Sequence, residues 1–191
     1  MRITNKDFQD TYRVHILENE FCAKNFDCED EDLNDFILHE AFAYQKAKIS
    51  VTYIVTNKQS GQTVAYFSLA NDKVTLADFN SNSEFNRFRK HKFAHSKRLR
   101  SYPAVKLCRL GIDKSIRKIG MGSYLLNCIK TLFTLKAQTG CRFLTVDAYK
   151  EAVPFYLKNC FLHLRSKDSD AHTELLYYDL CSSYDNNSPN V

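Results

Sequence analysis

Apolar side chains recur at three- and four-residue steps at Leu33, Phe36, Ile37, Ala41 and Tyr44, directly after the acidic run DCEDED. Carboxylates suit a helix N-terminus, so this spacing predicts a helix over about 30–46. ISVTYIV and TVAYFSLA are rich in β-branched and aromatic residues and are split by the turn-rich NKQSGQ, which predicts a hairpin. A polar and basic stretch, 71–103, follows. AVKLCRLGID (104–113) reads as a largely apolar strand, and a helix is expected from Gly122 with Leu125, Leu126, Ile129, Leu132, Phe133 and Leu135 on or near one side, ending around 139–140. CRFLTVDAY predicts a buried strand and EAVPFYLKN a short helix with Pro154 in its first turn. FLHLR and TELLYYDL predict two further strands. The elements describe an α+β chain: a mixed sheet with helices and a strand-loop-helix unit at its middle.

With 191 residues and 44% hydrophobic content the chain can bury a full core, and one domain over 1–181 is the simplest reading. The tail SSYDNNSPNV (182–191) is expected to be disordered. No eighteen-residue apolar run occurs, and the first thirty residues lack a basic start followed by an apolar run, so a cytoplasmic protein without membrane contact is expected. Seven cysteines are odd in number and form no CxxC, which points away from a disulfide framework or a zinc pattern. His91 and His95 are four apart but lie among cations with no third ligand at suitable spacing, so no metal site is expected.

Charge changes the picture more than its total does. RFRKHKFAHSKRLR, 87–100, holds seven of the 27 Lys and Arg and no acid, leaving 20 basic against 22 acidic residues elsewhere. The net excess of +5 therefore sits in fourteen residues. Arg87, Arg89, Lys90, Lys92, Lys97, Arg98 and Arg100, interleaved with Phe88, Phe93 and Leu99, are candidates for a phosphate-facing surface. The plainer alternative is a solvated helix or loop face.

RKIGMGSYLL, 117–126, carries the chemistry. Gly120 and Gly122 free the main chain of side-chain bulk and allow positive φ just before a helix begins. Several amides then point one way and the helix dipole adds positive potential, which suits a diphosphate. Arg117 and Lys118 would add charge at its edge. The pattern is neither GxGxxG nor a P-loop.

Arg117, Gly120 and Gly122 also fill the three defined positions of [RQ]xxGx[GA], between RLGID and VDAYKEAVPFYLKNCF. In this the chain resembles the GNAT acetyltransferase superfamily. The resemblance implies the acyl-CoA N-acyltransferase fold, a central mixed, mostly antiparallel sheet flanked by helices. It also implies acetyl-CoA as co-substrate. Arg117, Lys118, Ile119, Gly120, Met121, Gly122 and Ser123 would hold its pyrophosphate, and the backbone of Leu110, Gly111 and Ile112 would pair with its pantetheine arm. FYLKNCF is similar to the family's FYxKxGF, which implies that Tyr156 is the proton donor to the departing thiolate; Cys160 stands where the family usually has Gly.

FDCEDEDLNDFI, VTYIV and VAYFSLANDKV, in that order ahead of RLGIDKSIRKIGMGSYLL, are similar to the acetyltransferase toxins of bacterial toxin-antitoxin pairs. That branch implies aminoacyl-tRNA as acceptor and a small DNA-binding antitoxin as partner; a dimer is compatible with the sequence. The basic block would meet the tRNA, with Lys73, Lys114, Arg117 and Lys118 extending it. Two alternatives stand beside it: acetylation of a small amine or protein amino group, and a catalytically inactive nucleic-acid-binding module of the same fold.

Overall fold

The computed structural model describes residues 3–19, 23, 25–90, 92–93, 99–117, 119–135, 139–164 and 172–182. The expected disordered tail lies, beyond Ser182, outside the described residues. The chain divides into two compact units, one formed by residues 1–70 and 107–129, the other by 71–106 and 130–191.

The first unit begins with helix α1 (Asn5–Thr11), opened by a capping box in which the Thr4 hydroxyl and the Asp7 carboxylate satisfy each other's amides. Strand β1 (Tyr12–Ile16) pairs antiparallel with β2 (Val51–Asn57). Neither α1 nor β1 has a strong periodic signal: Phe8 is the one buried residue of the helix, and Val14 and Ile16 are exposed. The helix predicted over 30–46 is a composite of α2 (Glu31–Asp35), a π-helical turn (Phe36–Glu40) and α3 (Ala41–Lys46). Asp30 caps it by accepting from the Leu33 amide at 3.0 Å. Phe36, Ile37 and Ala41 pack with Leu17, Phe26, Ile54 and Tyr66 into one apolar cluster.

The predicted hairpin is β2 with β3 (Thr63–Thr75), in register from Val51↔Leu69 to Thr56↔Thr63 with a bulge between Val55 and Thr56. β3 runs five residues past the predicted Ala70, and its Asn71–Thr75 end belongs to the second unit.

In the second unit α4 (Asn82–Lys90) occupies the start of the basic stretch, which the sequence left without an element. Its Phe85 and Phe88, together with Phe93, pack with Tyr102, Phe143 and Tyr177. Strand β4 (Ser101–Ile112) is parallel to β5 (Phe143–Tyr149), in register from Ala104↔Phe143 to Lys106↔Thr145. Between them lies α5 (Met121–Leu135), the crossover helix that a parallel pair requires. After β5 come α6 (Val153–Lys158), β6 (Leu162–His163) and β7 (Thr173–Asp179), the last antiparallel to both β5 and β6. Among its described residues FLHLR contributes Leu162 and His163 as strand; Arg165 lies outside the described residues. The sheet has seven strands in the order β1-β2-β3-β4-β5-β7-β6, mostly antiparallel, and with its helices makes an α+β fold.

Candidate functional site

Strand β4 leads into the loop from its last residue, Ile112. Leu110, Gly111 and Ile112 lie past the register shared with β5. Gly111 is required by packing: a Cβ there would stand 2.5 Å from Cε1 of Tyr66 and 3.0 Å from Cζ of Phe26. Tyr66 is fully buried, and its hydroxyl donates to the Leu33 carbonyl at 2.7 Å. Burial pushes that phenol far above its ordinary range.

Asp113 then closes the strand. Its buried carboxylate accepts from the Ser115 amide (2.9 Å), the Ser115 hydroxyl (2.6 Å) and the Asp27 amide (3.0 Å). Burial favours the protonated form, but these hydrogen bonds outweigh it and hold the carboxyl below its usual range.

Gly120 has φ +79°, the left-handed conformation that glycine permits, and α5 starts at the next residue. Tyr124 donates the first intrahelical bond, to the Gly120 carbonyl at 3.0 Å. The amides of Met121, Gly122 and Ser123 precede it in the first turn, where a helix supplies no carbonyl partners. The loop is braced from the N-terminal segment, since the Ile3 amide donates to the Ile119 carbonyl and the Phe8 ring stacks on Tyr124 at 4.4 Å. Fifteen residues of α5 point their positive end at this turn, so it fits a diphosphate held by main-chain donors. Lys118 lies outside the described residues.

Arg117 behaves differently from the expectation of a cation at the anion's edge. Its guanidinium pairs with the Glu29 carboxylate and donates to the Cys28 carbonyl. Beside it, Lys114 donates to Asp27 at 2.6 Å through Nζ and to the Asp27 carbonyl through its amide at 2.9 Å. Lys114, the Glu29 amide and Asn34 together hold the Asp27 carboxyl well below the usual range. The acidic run thus serves partly as a helix cap and partly as a tether to the loop 113–117. Both cations have internal partners, and neither is a free extension of a basic surface. Sequence spacing offers no signal for this tether, because its partners lie 87 and 88 residues apart.

In the second unit, Tyr156 lies on α6, is 7% exposed, and sits edge-on to Phe155 and Phe161 with ring centroids 5.1 and 5.4 Å away. Burial pushes its phenol up to about 12. The helix ends in a Schellman turn: Phe161 donates to the Tyr156 carbonyl (3.1 Å) and Cys160 to the Leu157 carbonyl (3.0 Å). Cys160, at φ +63°, takes the left-handed position where glycine is usual. The turn is therefore kept despite the side chain, and Tyr156 stays fixed by it.

The basic block is split by its packing. Arg87, Lys90 and Arg100 are exposed, and Arg89 lies half-buried over the Phe85 ring. Lys92 is committed inward, 3.2 Å from the Asp179 carboxylate and above the Phe88 and Tyr177 rings. Arg142 donates to the same carboxylate at 3.0 Å. Lys97 and Arg98 lie outside the described residues. Arg87, Arg89 and Lys90 also occupy the last turn of α4, where cations favour the helix dipole.

Among the described residues no group of three or more His, Cys, Asp or Glu side chains could hold a metal ion. No described helix is long and apolar enough to cross a membrane.

No protein-family model and no curated protein matches the sequence. Solved structures do match over nearly the whole chain. A tyrosine-to-phenylalanine variant of KacT is 22% identical, with TM-score 0.71, covering 92% of this chain and 98% of its own. AtaT complexed with acetyl-methionyl-tRNAfMet is 23% identical, with TM-score 0.69 and coverages of 91% and 97%. AtaTR bound with AcCoA is 23% identical, with TM-score 0.71 and coverages of 94% and 99%. The strand order, the left-handed turn into α5 and this agreement over more than nine-tenths of both chains together show that the chain has the GNAT fold of the AtaT and KacT toxins.

Proposed function

We propose that the chain is an acetyl-CoA-dependent N-acetyltransferase whose acceptor is the amino group of aminoacyl-tRNA, with residues 1–181 working as one catalytic domain. The observation that carries the reading is Gly120: a left-handed residue between β4 and a fifteen-residue helix, at whose start an anion could accept from main-chain amides. The amides of 121–123 would take the pyrophosphate, and the main chain of 110–112 the pantetheine arm. Acetyl-CoA supplies an activated acetyl group as a thioester.

Tyr156 is the acid. Its phenol is neutral throughout the physiological range, so it donates and never acts as a base. Against an ordinary thiol near ~8.5, a phenol at about 12 is the weaker acid by roughly 3.5 units, or about 5 kcal/mol for complete transfer. Tyr156 is thus best suited to donating a strong hydrogen bond as negative charge builds on sulfur; the carbon–nitrogen bond forms, the carbon–sulfur bond breaks, and the proton released by the amine nitrogen ends on the departing sulfur.

The acceptor is supported by two things: exposed cations at the end of α4 and at Arg100, and the neighbour AtaT having been solved with acetyl-methionyl-tRNAfMet. An antitoxin partner is supported by neighbours solved as AtaT with the C-terminus of the antitoxin AtaR and as a KacTA-DNA complex. The internal commitment of Lys92 favours a second reading, a small-amine enzyme whose basic block is largely structural.

Radiolabelled acetyl transfer to total aminoacyl-tRNA separates the two. Wild type should label tRNA, Tyr156→Phe should lose about 10²-fold or more in rate, and Arg87→Glu/Lys90→Glu/Arg100→Glu should lose labelling with a flatter salt dependence. Absence of label with wild type at any salt concentration overturns the tRNA acceptor.

A further inference from the structure

α5 carries a buried cation that this chemistry leaves unused. Lys130 is 9% exposed and makes no ion pair among the described residues. A buried ammonium ordinarily requires a carboxylate. Here its Nζ donates to the Asn159 carbonyl at 2.5 Å and lies 3.9 Å from the centroid of Tyr178 and 5.2 Å from that of Phe161. Such a cation costs desolvation, and that cost lowers its proton affinity below the ordinary lysine value.

What it grips is the turn that ends α6. Asn159 closes that helix, its amide reaching the Tyr156 carbonyl at 2.9 Å and its side chain the Phe155 carbonyl at 2.8 Å. Phe161 donates to the same Tyr156 carbonyl and packs its ring on the Tyr156 ring. Cys160 between them is held in a left-handed conformation that a non-glycine residue keeps only when its surroundings over-determine it. The ammonium meets that turn through one hydrogen bond, to Asn159, and lies against two rings, those of Phe161 and Tyr178.

We propose that Lys130 is a positioning residue for Tyr156: its buried ammonium clamps the Asn159–Phe161 turn and thereby fixes where the phenol stands. The inference rests on the reading of Tyr156 as the acid, and its consequence is that removing the charge frees Tyr156 while the coenzyme loop keeps its affinity.

The test uses Lys130→Met, which keeps an unbranched side chain one atom shorter and loses the charge, with Lys130→Gln as a second variant should the first fail to fold. Amide exchange at Phe161 reports the clamp directly, and a 13C-tyrosine sample, with Tyr156 assigned by its absence from Tyr156→Phe, reports the phenol. Expected are a loss of Phe161 protection of about tenfold or more relative to the β5–β7 amides, and a Tyr156 titration moved down from about 12 toward the ordinary ~10, both partly restored in Lys130→Arg. In transfer assays kcat should fall by about tenfold or more with acetyl-CoA affinity unchanged, as for a misplaced acid. Unchanged Phe161 protection together with an unchanged Tyr156 titration overturns the proposal. A wild-type rate in Tyr156→Phe overturns the role of the acid instead, and the exchange and titration results still decide the clamp.

Discussion

Replacing Gly111 with alanine is the sharpest test of how the coenzyme strand is packed. A Cβ at this position would lie 2.5 Å from Tyr66 Cε1, against ~3.5–4.0 Å for an ordinary carbon contact, so the ring must retreat by about 1 Å. Tyr66 has no free space for that move, being fully buried, edge-on to Phe26 at 5.3 Å and stacked with Phe36 at 6.2 Å. Overpacking of this kind costs roughly 1–3 kcal/mol. The retreat also draws the hydroxyl from the Leu33 carbonyl, which keeps the Phe36 amide, so the buried phenol is left unpaired for about 1–3 kcal/mol more. Alanine loses less backbone entropy than glycine on folding and returns about 0.5–1 kcal/mol, so the net loss is about 1–5 kcal/mol. Urea unfolding of G111A, Y66L and the double variant measures it. Leucine removes the obstructing ring, so G111A should cost little in the Y66L background, giving a coupling of about 1–3 kcal/mol. A G111A protein within about 0.5 kcal/mol of wild type, or losses that simply add, would refute the packing argument.

Gly120→Ala should destabilise by about 1–2 kcal/mol because of its φ of +79°, whereas Gly122→Ala, within α5, should be neutral or gain about 0.5–1 kcal/mol; thermal unfolding separates them. Cys160→Gly should stabilise by about 0.5–1 kcal/mol by relieving the left-handed cysteine, and an unchanged or lower melting temperature would show that the side chain compensates. Asp27 is held below the carboxylate range, so its contribution to stability is complete above its unfolded value near ~3.9 and is lost as pH falls through the lower folded value. Asp27→Asn should accordingly flatten the acid limb below about pH 4 in denaturation curves. Arg117→Gln and Glu29→Gln undo one tether, so calorimetry should find similar losses of acetyl-CoA affinity with no further loss in the double variant; additive losses would mean that Arg117 meets the anion by itself.

Local patterns were legible and distant partners were not. The composite helix followed from an acidic start and a three- and four-residue apolar step, and the β2–β3 hairpin from β-branched runs around a turn. Gly120 could be read because glycine takes a left-handed turn at the least cost, and Pro154 marked the helix that bears Tyr156. α1 and β1 escaped notice because each buries almost nothing of its own. Phe88 and Phe93 are interleaved with the cations of the candidate phosphate-facing block, yet they belong to an aromatic cluster with Phe143 and Tyr177, contacts some fifty to ninety residues away in sequence. Asp179, which holds Lys92 and Arg142, is equally remote from Lys92, and so is Glu29 from Arg117. Cys160, in place of the family's usual Gly, bears on strain rather than on path, since the backbone follows the glycine-like route.

The π turn at Phe36–Glu40, where the Ala41 amide reaches back to the Phe36 carbonyl, is equivalent to one residue inserted into an α-helix. Five residues of such a turn cover about the rotation and rise of four α-helical ones, so removing a residue inside 36–40 would restore regular winding and leave everything before it nearly in place. Removing one from the regular α-helix on either side would instead turn Asp27 and Glu29 by about 100° and draw them in by about 1.5 Å, away from Lys114 and Arg117, although no residue of the tether had been altered. The extra residue is therefore tolerated only where the turn widens to hold it. A relative whose helix is one residue shorter should be aligned with a gap inside 36–40, and it should keep both ion pairs.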